Sequence, residues 1–384
     1  MAVPVFRPTV KRKDMGSVLS CIVSDKIGPG EISRDLTLRA CHLLGHAGGV
    51  SLANGYLAVS VALEALGLAA SDAVIVSALA PALWLRVIRD KGMVPLVADV
   101  EAESASIDPA QAASLVQKGA KAIMVPHTMG IVANIEALKS LGLPVMEDAS
   151  QALGGKIGEA ACGGTADICL LSLDPESIIT CGGGALVLGR SRQAALALKR
   201  IQESSPLYSP LADMNAALGI AQLGALESFV AVRREVAAAY AQALLKSRHV
   251  SLVQKIDAEN VLSSFPVTLA DGMKDVRHYA LKKNVETAPA FADTIAALEQ
   301  SGVPPENSPL AGAENVPAAA PGTAPLDSPG NPSSAVPAVP ENPHAVAHCP
   351  NARSLVLRCL LFPLYPMLGK RDVEAVCRVL STLP

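Results

Sequence analysis

The chain has 384 residues, of which 50% are apolar, 17% charged and 3% aromatic. That is enough for a large domain and a smaller one, with a core of Ala, Val, Leu and Ile rather than rings. The 32 basic and 35 acidic residues leave a net charge of −3 without a strong basic tract, which excludes a dedicated nucleic-acid binder.

The N-terminus lacks the apolar stretch of a signal peptide, and Lys11-Arg12-Lys13 reads as a solvated turn. The longest charge-free stretch, 40–63, contains Gly45, Gly48, Gly49, Asn54 and Gly55, which is wrong for a membrane span. A soluble cytoplasmic protein without membrane contact is the expectation. Residues 57–68 repeat apolar side chains at three and four and predict a helix. The run 73–76 (AVIV) predicts a buried strand, 81–91 a helix, 95–97 a strand, 110–118 a helix and 122–125 (AIMV) a strand. A helix over 135–141 and strands over 144–146, 168–172 and 185–188 follow. Strands alternating with helices imply a mostly parallel sheet covered on both faces.

Beyond Gly189, residues 192–203 and 212–247 are Ala- and Leu-rich helices, the second divisible into more than one segment. Residues 264–269 predict a strand and 372–380 a closing helix. The expected organisation is a large α/β domain over 1–245 with an N-terminal arm, then a smaller α+β domain over 246–384. A Pro- and Ala-rich stretch at about 303–343 interrupts the second; its composition reads as a disordered surface insertion rather than a ligand for a partner domain. The eight cysteines contain no C-x-x-C pair, so neither a disulfide framework nor a structural zinc site is expected.

Several strings, in order, resemble the DegT/DnrJ/StrS family of pyridoxal-phosphate sugar aminotransferases of fold type I. They are Val3–Thr9, Asn54-Gly55-Tyr56 before a helix, His127 and Gly130 in a His-x-x-Gly stretch, Glu147-Asp148-Ala149-Ser150-Gln151, and Phe362-Pro363-Leu364-Tyr365-Pro366. The resemblance spans nearly the whole chain except the Pro-rich stretch. It implies the fold-type I architecture: a mostly parallel sheet sandwiched by helices, with a smaller C-terminal α+β domain.

It also implies cofactor contacts. Asp148 would hold the pyridine nitrogen protonated, Gln151 would face the ring hydroxyl, and Gly55, Tyr56 and Ser172 would lie at the phosphate. Bland readings stand beside these: Asn54 as an ordinary helix cap and Asp148 as a turn residue. Tyr56 replaces a small hydroxyl residue. Pro81 stands where the family places an aromatic against the ring, with Trp84 one helical turn on.

The largest departure is the lysine. The family's serine, aromatic, two variable residues, threonine and lysine align without gaps on Ser172–Ser177, which puts Ser177 in the lysine slot; no lysine lies between Lys156 and Lys199. The histidine that related sugar dehydrases carry there is absent too, and Cys349, Cys359 and Cys377 do not reproduce their cluster spacing. A serine hydroxyl cannot form an imine, and losing a positioned base alone costs about 10²–10⁴ in rate. Tyr208 and Pro210 replace an Asn and an Arg that reach the partner subunit's cofactor in the family.

The expectation is a degenerate member with no catalytic residue at position 177, in which any bound pyridoxal or pyridoxamine phosphate is held non-covalently. It would form a homodimer, or a heterodimer with a catalytic paralogue, and a nucleotide-sugar is a candidate ligand. The alternatives are an enzyme of altered chemistry using non-covalent pyridoxamine phosphate, and an active nucleotide-sugar aminotransferase of cell-surface polysaccharide synthesis whose base lies elsewhere.

Overall fold

A computed structural model describes residues 2–204, 209–253, 259–301 and 349–384. The Pro-rich stretch 303–343 and Tyr208 lie outside them.

The large sheet has seven strands: β1 (Gly48–Leu52), β2 (Ala73–Ser77), β3 (Val94–Ala98), β4 (Ala120–Pro126), β5 (Val145–Asp148), β6 (Ile168–Ser172) and β7 (Ala185–Gly189). Their spatial order is β1-β7-β6-β5-β4-β2-β3. Pairing is parallel from β3 through β6, while β7 runs antiparallel to both β1 and β6. Val74, Ile75 and Val76 are fully buried, because helices cover both faces of the sheet and leave no polar side for an alternating pattern.

The helices before and between the strands are α1 (Met15–Val23), α2 (Glu31–Leu44), α3 (Gly55–Ala65), α4 (Ala82–Asp90), α5 (Pro109–Val116) and α6 (Ile135–Lys139). Then come α7 (Arg192–Ser204), α8 (Asp213–Leu223) and α9 (Leu226–Leu244). The Ala-rich stretch 212–247 is thus two helices, α8 and α9, bent by 57° at Gly224-Ala225. Among the described residues no single helix is long and apolar enough to cross a membrane.

A second, antiparallel sheet of β8 (Val250–Ser251), β9 (Phe265–Thr268), β10 (Ala288–Pro289) and β11 (Cys359–Phe362) has the order β8-β9-β11-β10. Around it lie α10 (Met273–Lys282), α11 (Ile295–Ser301), α12 (Pro350–Arg358) and α13 (Lys370–Leu380). One continuous apolar cluster joins the two sheets. The scarce aromatics concentrate there: Tyr240 of α9 meets Phe265 of β9 edge-to-face at 5.4 Å, with Phe291 and Phe362 fully buried. Arg233 of α9 pins the junction, its Nη1 donating to the carbonyls of Leu262, Ser263 and Leu364 at 3.2, 2.9 and 2.7 Å. The last of these lies in the Phe362–Pro366 closing motif.

Candidate active site

Ligands of parallel sheets sit outside the carboxyl ends of the strands. Here those ends border a cleft of about 420 Å³. Leu79 and Pro81 follow β2, Pro126 ends β4, Asp148 ends β5 and Ser172 ends β6; all five line it. The facing wall is the segment between β10 and α11, with Phe291 and Asp293, and the N-terminal arm contributes Val5 and Phe6. The arm is fastened by Val3, whose N–H donates to the Asn284 carbonyl at 2.9 Å and whose carbonyl accepts from Glu286 N–H at 3.0 Å.

Successive residues of β5 face opposite ways. Glu147 points away from the cleft, fully buried, accepting from the N–H groups of Gly163, Thr165 and Ala166 and from His127 Nε2 at 3.0 Å. Burial opposes its charge, but the His127 hydrogen bond and charge and those N–H donors hold its pKa below the usual value. His127 is committed on both nitrogens, since Nδ1 accepts from Ala133 N–H at 2.9 Å. Of this pair only His127 lines the cleft.

Asp148 faces the cleft. Its Oδ1 accepts from the Ser150 N–H at 2.9 Å and from the Ser150 hydroxyl, whose oxygen in turn accepts from Ser172 N–H at 2.6 Å. Burial raises the Asp148 pKa; the Ser150 hydrogen bonds and the His127 charge oppose the rise without cancelling it, and the nearby Asp174 carboxylate adds to it. Gln151 lines the same cleft, its Oε1 accepting from Met129 N–H at 2.8 Å. Met129 adopts a left-handed φ of 56°, and Gly130 follows at 88°. A Cβ on Gly130 would lie 2.1 Å from the Val261 carbonyl oxygen, which is why the His-x-x-Gly stretch requires glycine.

Ser177 also lines the cleft and is 8% exposed. Its N–H donates to the Asp174 carbonyl at 3.0 Å, while its hydroxyl has no hydrogen-bond partner among the described residues. Ser172 lines the cleft too, but its hydroxyl donates to Asp174 Oδ2 at 2.5 Å.

Gly55 and Tyr56 do not join this group. A Cβ on Gly55 would lie 3.6 Å from Leu83 Cδ2, so α4 lies over the start of α3. The Tyr56 hydroxyl donates to Asp90 Oδ2 at 2.8 Å, away from the cleft, and Asn54 Oδ1 caps Leu57 N–H at 3.0 Å. Gly55 and Tyr56 thus lie outside the residues that line the cleft: the Tyr56 ring is directed at α4, and Asn54 caps the helix start. Trp84 is a core residue, 2% exposed, while Pro81 presents no ring to stack.

The sequence did not single out Asp174, Glu176 and Asp293, which also line the cleft. The first two flank Pro175 just after the motif serine, a charge signal legible in hindsight. Asp293 comes from a distant segment and carries no local signal. Withdrawal from water, with the Asp293 and Asp174 carboxylates close by, raises the Glu176 pKa. No Lys or Arg lines the cleft among the described residues.

The residues present do not fit covalently held pyridoxal phosphate. Asp148 lines the cleft, but among the described residues no lysine lines it to offer an amine for an imine, position 81 is a proline rather than an aromatic, and no Lys or Arg lines it to meet a phosphate.

A model of the DegT/DnrJ/EryC1/StrS aminotransferase family matches residues 8–318. The chain is 25% identical over 255 residues to a GDP-perosamine synthase from Vibrio cholerae, a match covering 62% of this chain and 70% of that one. Its fold superposes on Spr1654 from Streptococcus pneumoniae in its PLP form with a TM-score of 0.81 at 16% identity, over 100% and 98% of the two chains. It superposes on the E. coli GDP-4-keto-6-deoxy-D-mannose-3-dehydratase with bound hydrated PLP with a TM-score of 0.80, again at 16% identity, over 99% and 100%. The matched span includes the strand-end residues Asp148, Gln151 and Ser172 and position 177. With its sheet order and strand-end cleft, this chain belongs to the DegT/DnrJ/EryC1/StrS aminotransferase family.

Proposed function

We propose that this chain is a sugar-aminotransferase relative that has kept the fold and lost transamination, acting through ligand binding or through its subunit partner in nucleotide-sugar metabolism. The observation that carries this reading is Ser177, standing in the lysine slot inside a cleft that no Lys or Arg lines among the described residues. Pro81 and the exposed Pro210 support it, since neither supplies the ring contact or the charge that the resemblance calls for. The likeness to a GDP-perosamine synthase favours a sugar-nucleotide setting. A cytoplasmic location belongs to the same reading.

The subunit partner is a second copy or a catalytic paralogue. The α1 residues Met15, Leu19, Ile22 and Val23 recur at helical spacing and are all exposed, which leaves an apolar stripe to be covered.

A second reading is favoured by Asp148 and Gln151, which remain in the cleft and could hold pyridoxamine phosphate without a covalent bond. Absorbance titration with pyridoxamine phosphate, coupled to an assay of amino transfer from glutamate to a nucleotide 4-ketosugar, separates the two. Neither saturable binding nor turnover is expected. Saturable binding would replace the first reading by the second, and amino transfer would overturn it.

A further inference from the structure

We propose that residues 4–8 of the N-terminal arm form a strap that opens and shuts the strand-end cleft, with the Phe6 ring as its cover. This rests on the reading that the cleft is a ligand site, and it concerns access rather than the chemistry within.

The strap is fastened at both ends and free between them. Its inner anchor is buried. Gln222 of α8, fully enclosed, donates from Nε2 to the Thr9 carbonyl at 2.8 Å and to Asp14 Oδ2 at 3.0 Å. Thr9 and Asp14 are themselves buried. The outer fastening is the pair of backbone hydrogen bonds between Val3 and the exposed residues Asn284 and Glu286. Residues 4–8 make no hydrogen bond among the described residues. Pro4 and Pro8 have no N–H to pair, and each biases the residue before it toward extended backbone. A span extended in advance loses little conformational freedom when seated, and it breaks no hydrogen bond of its own when lifted. Opening therefore needs only the two backbone bonds at the exposed outer end, while the buried inner end stays as the pivot.

Phe6 makes an independent case. The chain has five phenylalanines, and the other four, Phe229, Phe265, Phe291 and Phe362, are at most 1% exposed. Phe6 alone is half-buried, on a span held only at its ends, and with Val5 it lines the cleft. In a protein so poor in rings, one placed there adds less to the core than its four counterparts and instead shields the cleft from water.

The test reads access without any ligand. Ser177→Cys places a thiol in the cleft of the full-length protein, and its labelling by a maleimide is followed by peptide mass spectrometry. Cys169, fully buried, is the internal measure of unfolding. Adding Val3→Pro, which removes the outer donor, or Phe6→Ala, which removes the cover, is expected to speed labelling at position 177 about tenfold or more while Cys169 stays unlabelled. Equal rates at position 177 in all three proteins would overturn the proposal. So would Cys169 gaining reactivity in step with position 177, since the arm would then be part of the global fold rather than a strap. Because no ligand enters the measurement, its failure is distinct from a failure of the binding reading, which titration tests.

Discussion

Asp148 is a carboxylate whose pKa the fold raises. Burial makes its charged form costly, so the folded-state pKa lies above the unfolded one. The sign follows. Below the ordinary carboxylate pKa the group is neutral in both states and has no effect on stability. As pH rises through the raised folded value, the unfolded chain ionises more readily and the native state loses ground. Asp148→Asn keeps an acceptor for Ser150 and removes the charge. Thermal melts across pH should show the variant more stable than wild type at neutral pH, with the gap closing as pH falls to about 4. A gap that widened on acidification would contradict this. The residues that the sequence placed together, Asp148, Gln151, Ser172 and Ser177, do share one cleft, because the motif strings sit at neighbouring strand ends. Gly55 and Tyr56 do not line it, and a one-dimensional match does not reveal that Asp90 of α4 captures the Tyr56 phenol.

At the level of elements, legibility followed locality. The central strands β2, β4 and β6 were readable because they are buried on both faces and appear as unbroken apolar runs. Strand β1 was missed: it begins Gly48-Gly49, and a Cβ on Gly49 would meet Leu188 Cδ2 at 2.6 Å, so close packing against β7 removed the side chains that signal a strand. The reversed direction of β7 has no local signature. Helix α2 was missed for a different reason. Exposed Leu38 and Leu43 blur its apolar face, and its cap is remote: Asp213 of α8 accepts from Gly30 and Ser33 N–H at 2.8 Å and from Ile32 N–H at 3.1 Å. That carboxylate serves a helix N-terminus about 180 residues earlier in the chain. Asp213→Ala should cost about 1–3 kcal/mol in denaturant-measured stability, with early hydrogen exchange in α2. A change below a few tenths would show that α2 needs no such cap.

Over the whole molecule, the two sheets share one core, and the exposed apolar stripe of α1 sits outside it; Val23 is 81% exposed. Light scattering should give about twice the 39.5 kDa chain mass, and Leu19→Glu/Val23→Glu should shift it toward the monomer. A wild-type monomer at micromolar concentration would rule out self-association through this face. The Pro-rich stretch 303–343 was read from composition alone and lies outside the described residues. The small antiparallel sheet was only partly legible, since β8 and β10 are two residues each and gain their identity from β9 and β11.

The most direct test of the account is chemical. Full-length protein is incubated with pyridoxal phosphate, reduced with borohydride and mapped by peptide mass spectrometry. The expected result is no stoichiometric adduct on any lysine, because Ser177 offers only a hydroxyl where the family pattern places an amine. Near-complete labelling of one lysine at the cleft would contradict it.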